Sequence, residues 1–308
     1  SVVDYIYAGD LEGKVWKFDV TSILATGWDS AFLTGGTPKP LYTAEDASNN
    51  PQPITSRVEV GRHPTEPGYM VYFGTGKYLE NADNSSTGQD TQAFYAVWDK
   101  DTTQVPGFDR DDLLEQTIDY QLAGTDTPPQ RPARVTSANS IVWYTKTGYN
   151  ITGPDVGNYH LGWYMDLQNP ANSNANEGER VTANPILNAG RIIFATFLPP
   201  VDVCSGGGDS WIMEVNADNG ARLVSSVWDI NKDKSVSGSD FVDVGGGNMM
   251  QVSGTASSVG AVASPTVVSL PGGQRQIKIL SGTSGMVETV HESPGFVARG
   301  RQSWIRLQ

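Results

Sequence analysis

The stretch "DYIYAGDLEGKVWKFDV" (residues 4–20) decides how the rest of the chain is read. Two runs rich in β-branched and aromatic residues flank the Gly-bearing turn "DLEG". That pattern is a β-hairpin, with Tyr5, Tyr7, Val15, Trp16 and Phe18 as strand residues.

Outward from this hairpin a related order recurs. "ITSRVEV" (54–60) is followed by "YMVYFGTGKYL" (69–79) and "QAFYAVWDK" (92–100). "VTANPIL" (181–187) is followed by "RIIFATFLPP" (191–200) and "SWIMEVNADNG" (210–220). "VASPTVV" (262–268) is followed by "QIKILSGTSGMVETV" (276–290). Each unit has a short first strand with small residues, an apolar strand ending in Gly, Thr or Pro, and a partner strand. A repeated, roughly four-stranded antiparallel unit predicts an all-β chain forming a modified β-propeller with long loop insertions. Each blade can hide a face only against its neighbours. A β-sandwich is the competing architecture.

The intervening segments 21–52, 101–134 and 165–180 are rich in Asn, Asp, Ser, Thr and Gly and read as surface loops. Within them, "DRDDLLEQTI" (109–118) is the best helical candidate, with Leu113, Leu114 and Ile118 on one side. Residues 1–308 read as one propeller domain, and an opening on "SVVDYIYAGD" predicts a fragment of a longer protein.

Composition agrees with this class. Of 308 residues, 34 are Gly and 18 Pro, which favours frequent turns over long helices. Eight Trp, 12 Tyr and 9 Phe supply a large apolar core. The net charge of -13 disfavours nucleic acid and anionic lipid as partners. No run of 18 apolar residues would span a bilayer. The one cysteine, Cys204, has no internal disulfide partner; it is a small buried or loop residue, or pairs with a residue outside the chain.

"DINKDKSVSGSD" (229–240) carries the sharpest chemical signal. Oxygen-bearing groups fall at positions 1, 3, 5, 7, 9 and 12 of a calcium loop: Asp229, Asn231, Asp233, the Ser235 carbonyl, Ser237 through a water, and Asp240. Val236, at position 8, is the expected apolar anchor. Two departures weaken the predicted affinity. Lys234 replaces the usual Gly at position 6, and Asp240 replaces the longer Glu at position 12. An Asx-rich turn holding no metal is the alternative, and Mg²⁺ suits the ligand number less well than Ca²⁺. Asp4, just before the first strand, is positioned to close a second loop of the same kind, or simply to initiate the strand.

Catalytic motifs are not evident. His63, His160 and His291 are scattered, and no GxSxG occurs. "GTGK" (74–77) lacks phosphate-loop spacing and lies between β-type runs, so Gly74 and Gly76 read as a bend. The Gly-rich runs at 204–211 and 244–248 read as flexible connections.

Taken together, "YIYAGDLEGKVWKFDV", "VYFGTGKYL" with "AFYAVWD", "GWYMDL", "GERVTANPIL", "SWIMEVNADNG", "DINKDKSVSGSD" and the ending "GRQSWIRL" resemble the C-terminal domain of the PilY/PilC type IV pilus tip-associated proteins. The similarity runs in order from Val3 to Arg306. It implies a non-enzymatic, calcium-binding β-propeller at the tip of an extracellular pilus. Expected roles are pilus assembly, retraction control and surface adhesion. Its partners would be pilus subunits and host or abiotic surfaces. In that family a DxDxDxxxD-type loop immediately precedes the YAGDL strand, and Asp4 matches only its last position. The other readings are a quinone-dependent dehydrogenase on a similar propeller and a generic protein-interaction propeller. The chain lacks the adjacent Cys pair that such dehydrogenases often place over the quinone.

Overall fold

The computed structural model describes residues 3–200, 207–257, 259–270 and 275–294. Cys204 and the ending "GRQSWIRL" lie outside the described residues. The architecture is all-β: four principal sheets joined by loops, with single 3-10 turns as the helical content of the described residues. Among the described residues, no helix is long and apolar enough to cross a membrane.

The opening hairpin forms as its pattern dictates. Tyr5–Gly9 pairs antiparallel with Lys14–Asp19, from Tyr5 opposite Asp19 to Gly9 opposite Val15. Asp10 shapes the turn. Its Oδ1 accepts the N–H groups of Glu12 and Lys14, both at 2.9 Å, and its Oδ2 accepts the Trp16 indole N–H at 2.8 Å. Asp29–Ser30 and Tyr42–Thr43 add to Lys14–Asp19 and complete a four-stranded first sheet.

The second sheet has five strands in the order Leu114–Gln116, Gly162–Asp166, Ala93–Asp99, Tyr69–Gly74 and Glu59–Arg62. The third has six: Ile118–Leu122, Ala133–Thr136, Gly254–Ser257, Ser210–Asn216, Arg191–Ala195 and Ile186–Asn188. The fourth has three: Thr266–Ser269, Gln276–Ser281 and Val287–Glu292. Each repeat read from the sequence is the heart of one of these last three sheets. Sheet size varies about the four-stranded unit because segments read as loops supply extra strands. Leu114–Gln116 joins the second sheet parallel to Gly162–Asp166, and Ile118–Leu122 and Ala133–Thr136 join the third.

The helix expected over 109–118 is therefore corrected. Only Arg110–Asp112 forms a 3-10 turn, capped by Asp109, whose side chain accepts the Asp111 N–H. Ten residues are too few to sustain an isolated α-helix. Pairing in two different sheets buries Leu113 and Ile118 while satisfying the backbone. The segments 21–52 and 101–134 are likewise not wholly loops, since both contribute strands.

Sheets meet through close packing and buried charge. A Cβ on Gly74 would lie 2.3 Å from the Val181 Cβ, so the end of "YFGTGK" is a contact between the second sheet and the approach to the third. Asp99, fully buried in the second sheet, accepts from Tyr7 and Tyr149 and pairs with Lys17 Nζ at 2.8 Å, tying the first sheet to the second. Phe94 and Phe194 stack at 4.0 Å between the second and third sheets. One large apolar cluster spans the first, second and third sheets. A second joins the third and fourth and includes Val227, Trp228 and Ile230.

Candidate metal centre

The loop 229–240 leaves the core directly after Val227 and Trp228, and Ile230 anchors it from within. These residues do the work expected of Val236, which is only half-buried. The two end carboxylates turn inward: Asp240 is fully buried and Asp229 is 4% exposed. Asp240 Oδ1 accepts the N–H groups of Ile230 at 2.9 Å and Asn231 at 3.3 Å, and its Oδ2 accepts that of Ser237 at 2.8 Å. Asp229 accepts the N–H of Asp233 at 3.0 Å on Oδ1 and that of Lys234 at 2.9 Å on Oδ2. The first and last positions of the loop thus curl it around themselves.

The middle positions face one another across the loop. Asn231 Oδ1 accepts the Asp233 N–H at 3.0 Å, and its amide donates to Asp233 Oδ2 at 3.1 Å and to Ser239 Oγ at 3.0 Å. Asp233 Oδ1 accepts the Ser235 N–H at 2.8 Å. Ser237 caps the 3-10 turn Gly238–Asp240, and its hydroxyl lies 2.7 Å from that of Ser239. Burial raises the pKa of Asp229, against the stabilising N–H of Lys234, and the nearby carboxylates of Asp240 and Asp233 raise it further. Mutual repulsion among three carboxylates is the electrostatic condition a divalent cation relieves.

Among the described residues, no group of three or more His, Cys, Asp or Glu forms a ready-made metal cage. The donors of this loop are instead spent on its own backbone N–H groups. In chemistry they suit calcium: carboxylates, an amide oxygen, a hydroxyl and a main-chain carbonyl, all hard oxygens. Both lysines of the loop take left-handed backbone, Lys232 at φ 63° and Lys234 at φ 67°. Lys234 occupies the position where Gly is usual, at a cost of roughly 1–2 kcal/mol.

Asp4 lies apart from this constellation. Its side chain is exposed, and its carbonyl accepts the Val20 N–H at 3.0 Å, closing the open end of the first hairpin. His63 is a packed core residue. Its ring lies 4.2 Å from both Trp98 and Trp143, and its Nδ1 accepts the N–H groups of Thr65 and Glu66.

The polar cluster behind the loop was missed in the sequence. Lys278 of the fourth sheet is fully buried, pairs with Glu214 of the third sheet and Glu292 of its own, and sits 4.2 Å from the Trp228 ring centroid. Arg191 pairs with Glu214 at 2.5 Å. Its signal was a charge at the centre of an apolar strand, in "SWIMEVN" and "QIKIL". Trp228 bridges to Glu292, and the Asp229 N–H reaches the His291 carbonyl at 3.2 Å, so loop and cluster share one wall.

Comparison with known proteins agrees with this architecture. The family model described as "PilY1 beta-propeller domain" matches residues 1–127. A type IV pilus biogenesis factor PilY1 of Pseudomonas aeruginosa is 30% identical over 332 residues, covering 100% of this chain and 26% of that protein. A PilY1 homologue of Xylella fastidiosa is 28% identical over 310 residues, covering 100% of this chain and 21% of that protein. The crystal structure of the P. aeruginosa PilY1 C-terminal domain superimposes with a TM-score of 0.76 at 27% identity, covering 95% of this chain and 57% of that one. The fold is thus a β-propeller of the kind built into type IV pilus biogenesis factors. The chain belongs to the PilY1 family and corresponds to its C-terminal propeller domain. It spans about a quarter of the length of the P. aeruginosa relative, 26%.

Proposed function

We propose that this chain is the calcium-binding propeller of a type IV pilus tip-associated protein, a single non-enzymatic domain acting in pilus biogenesis, retraction control and surface adhesion. It works outside the cell, against pilus subunits and against host or abiotic surfaces. Membership of the PilY1 family supports the pilus setting. The observation that carries the calcium reading is the inward turn of Asp229 and Asp240 at the two ends of an alternating series of oxygen donors.

Asn231, Asp233, the Ser235 carbonyl and Ser237 would complete the ligand set, with the lysines at the even positions directed elsewhere. Bound calcium supplies positive charge among the three carboxylates and orders the loop. The test is calorimetric titration of the wild-type chain and of Asp229→Ala and Asp233→Ala with calcium. Each substitution is expected to abolish uptake at this loop; unchanged uptake in both overturns the ligand assignment. In cells, loop variants of the full-length protein should impair surface piliation at ordinary protein levels. Normal piliation and retraction would remove the functional half of the reading.

A further inference from the structure

Beside the loop lies a cleft of about 420 Å³, walled by Lys234, Ser235 and Val236 on one side and by Arg275, His291 and Glu292 on the other. Its charge runs against that of the whole chain, which has 34 acidic residues against 21 basic ones. Two of the six groups named, Lys234 and Arg275, are basic, and the carboxylate of Glu292 is already paired with the buried Lys278 behind it. Among the described residues, neither Lys234 nor Arg275 has a carboxylate within ion-pair reach. His291 Nδ1 is shielded from solvent and has no hydrogen-bond partner.

We propose that this cleft binds a small oxyanion, a carboxylate or phosphate group, between the Lys234 ammonium and the Arg275 guanidinium, with His291 on its wall. A guanidinium fork matches either oxyanion in two parallel hydrogen bonds, and an ammonium adds a point charge. The backbone of Lys234 gives the argument its second support. A lysine held at φ 67°, where glycine would relax, is strain kept at a particular place. At that place the Lys234 side chain stands on the cleft wall while its N–H reaches Asp229 Oδ2. The cleft goes beyond the pilus reading and binds its ligand whether or not the loop holds calcium. A cation in the loop would strengthen it.

The experiment is calorimetric titration with inorganic phosphate and, separately, with succinate, in metal-free buffer at constant ionic strength. Wild type, Lys234→Gly, Arg275→Ala and the distant surface control Lys39→Ala are compared. The expected result is that wild type and Lys39→Ala bind at least one probe equally, while the two cleft variants lose on the order of tenfold in affinity. The probe that binds better identifies the oxyanion. Absence of binding to wild type overturns the proposal, as do equal affinities in all four proteins or an equal loss in the control. Calcium titration of Lys234→Gly separates the two readings, since glycine keeps the N–H and removes the strain. Calcium uptake should be retained or tightened while the anion is lost. A wild type that ignores calcium but binds the anion would sink the calcium loop and leave the cleft standing.

Discussion

The backbone N–H of Asp229 donates to the carbonyl of His291 at 3.2 Å, so the first position of the loop is stitched to the strand Val287–Glu292 of the fourth sheet. One residue back, Trp228 bridges to Glu292 and covers Lys278 with its indole. Among the described residues the fourth sheet has three strands, and this contact extends it. Ordering the loop therefore bears on how firmly that sheet is held to the rest of the molecule.

Calcium should accordingly protect more than the loop. Hydrogen exchange is expected to slow both in residues 229–240 and in the strands Gln276–Ser281 and Val287–Glu292 when calcium is added. The hairpin Tyr5–Gly9 with Lys14–Asp19 should be unaffected. Calcium at about 100 times its dissociation constant would add roughly 2.7 kcal/mol, so a chelator should lower the melting temperature. Protection confined to the loop would mean that it is ordered independently of the fourth sheet.

Asp240 has a role that does not need metal. Its buried carboxylate accepts three backbone N–H groups, from Ile230, Asn231 and Ser237. Truncation by Asp240→Ala strands these donors at a cost of about 1–3 kcal/mol. Urea unfolding in metal-free buffer should show that loss. Asp233→Ala, whose parent side chain is exposed, should show little change under the same conditions. Equal stability of wild type and Asp240→Ala without calcium would mean that the carboxylate serves the cation alone.

The ion cluster of Lys278, Glu214, Glu292 and Arg191 joins the third and fourth sheets in a setting closed to water. Lys278→Met removes the cation shared by two buried carboxylates. Such a break costs on the order of 3–5 kcal/mol because the remaining charge is left uncompensated. The double variant Lys278→Met/Glu292→Gln removes that excess charge while keeping the Arg191–Glu214 pair, and should recover much of the loss. Chemical denaturation of both proteins measures it. A single variant as stable as wild type would show that the cluster contributes nothing to holding the sheets together.

What could be read in the sequence, and what could not, follows from how local each interaction is. The opening hairpin was legible because its alternation, its turn and its Asp10 cap lie within seventeen residues. The central strands of the later sheets were legible because they are long apolar runs. Leu114–Gln116 and Ile118–Leu122 were hidden: they are short edge strands, the first paired far along the chain with Gly162–Asp166 and the second across a loop insertion with Ala133–Thr136, and acidic residues before them imitate a helix start. In the loop, the donor spacing was legible, but the backbone N–H groups that now occupy Asp229 and Asp240 were not. The cleft could not be foreseen at all, because Lys234, Arg275 and His291 are brought together only by the docking of the fourth sheet.

His63 supplies a pH test of the second sheet's packing. Burial against Trp98 and Trp143, with Lys100 nearby, lowers its pKa from 6.5 to about 4. The geometry agrees, since Nδ1 accepts two backbone N–H groups and so must carry no proton. In the unfolded chain the same imidazole takes up its proton near pH 6.5. Between about pH 6.5 and 4 the unfolded state therefore binds more protons than the folded one, and stability falls as the pH is lowered. Acid titration of carboxylates adds its own slope, so the informative quantity is a difference between proteins. His63→Gln keeps an acceptor for the Thr65 and Glu66 N–H groups and cannot be protonated. Its urea midpoint should fall less than that of wild type between pH 7 and pH 4.5. Identical falls would show that His63 titrates in the folded protein as it does in the unfolded chain, and that the two indoles leave it open to solvent.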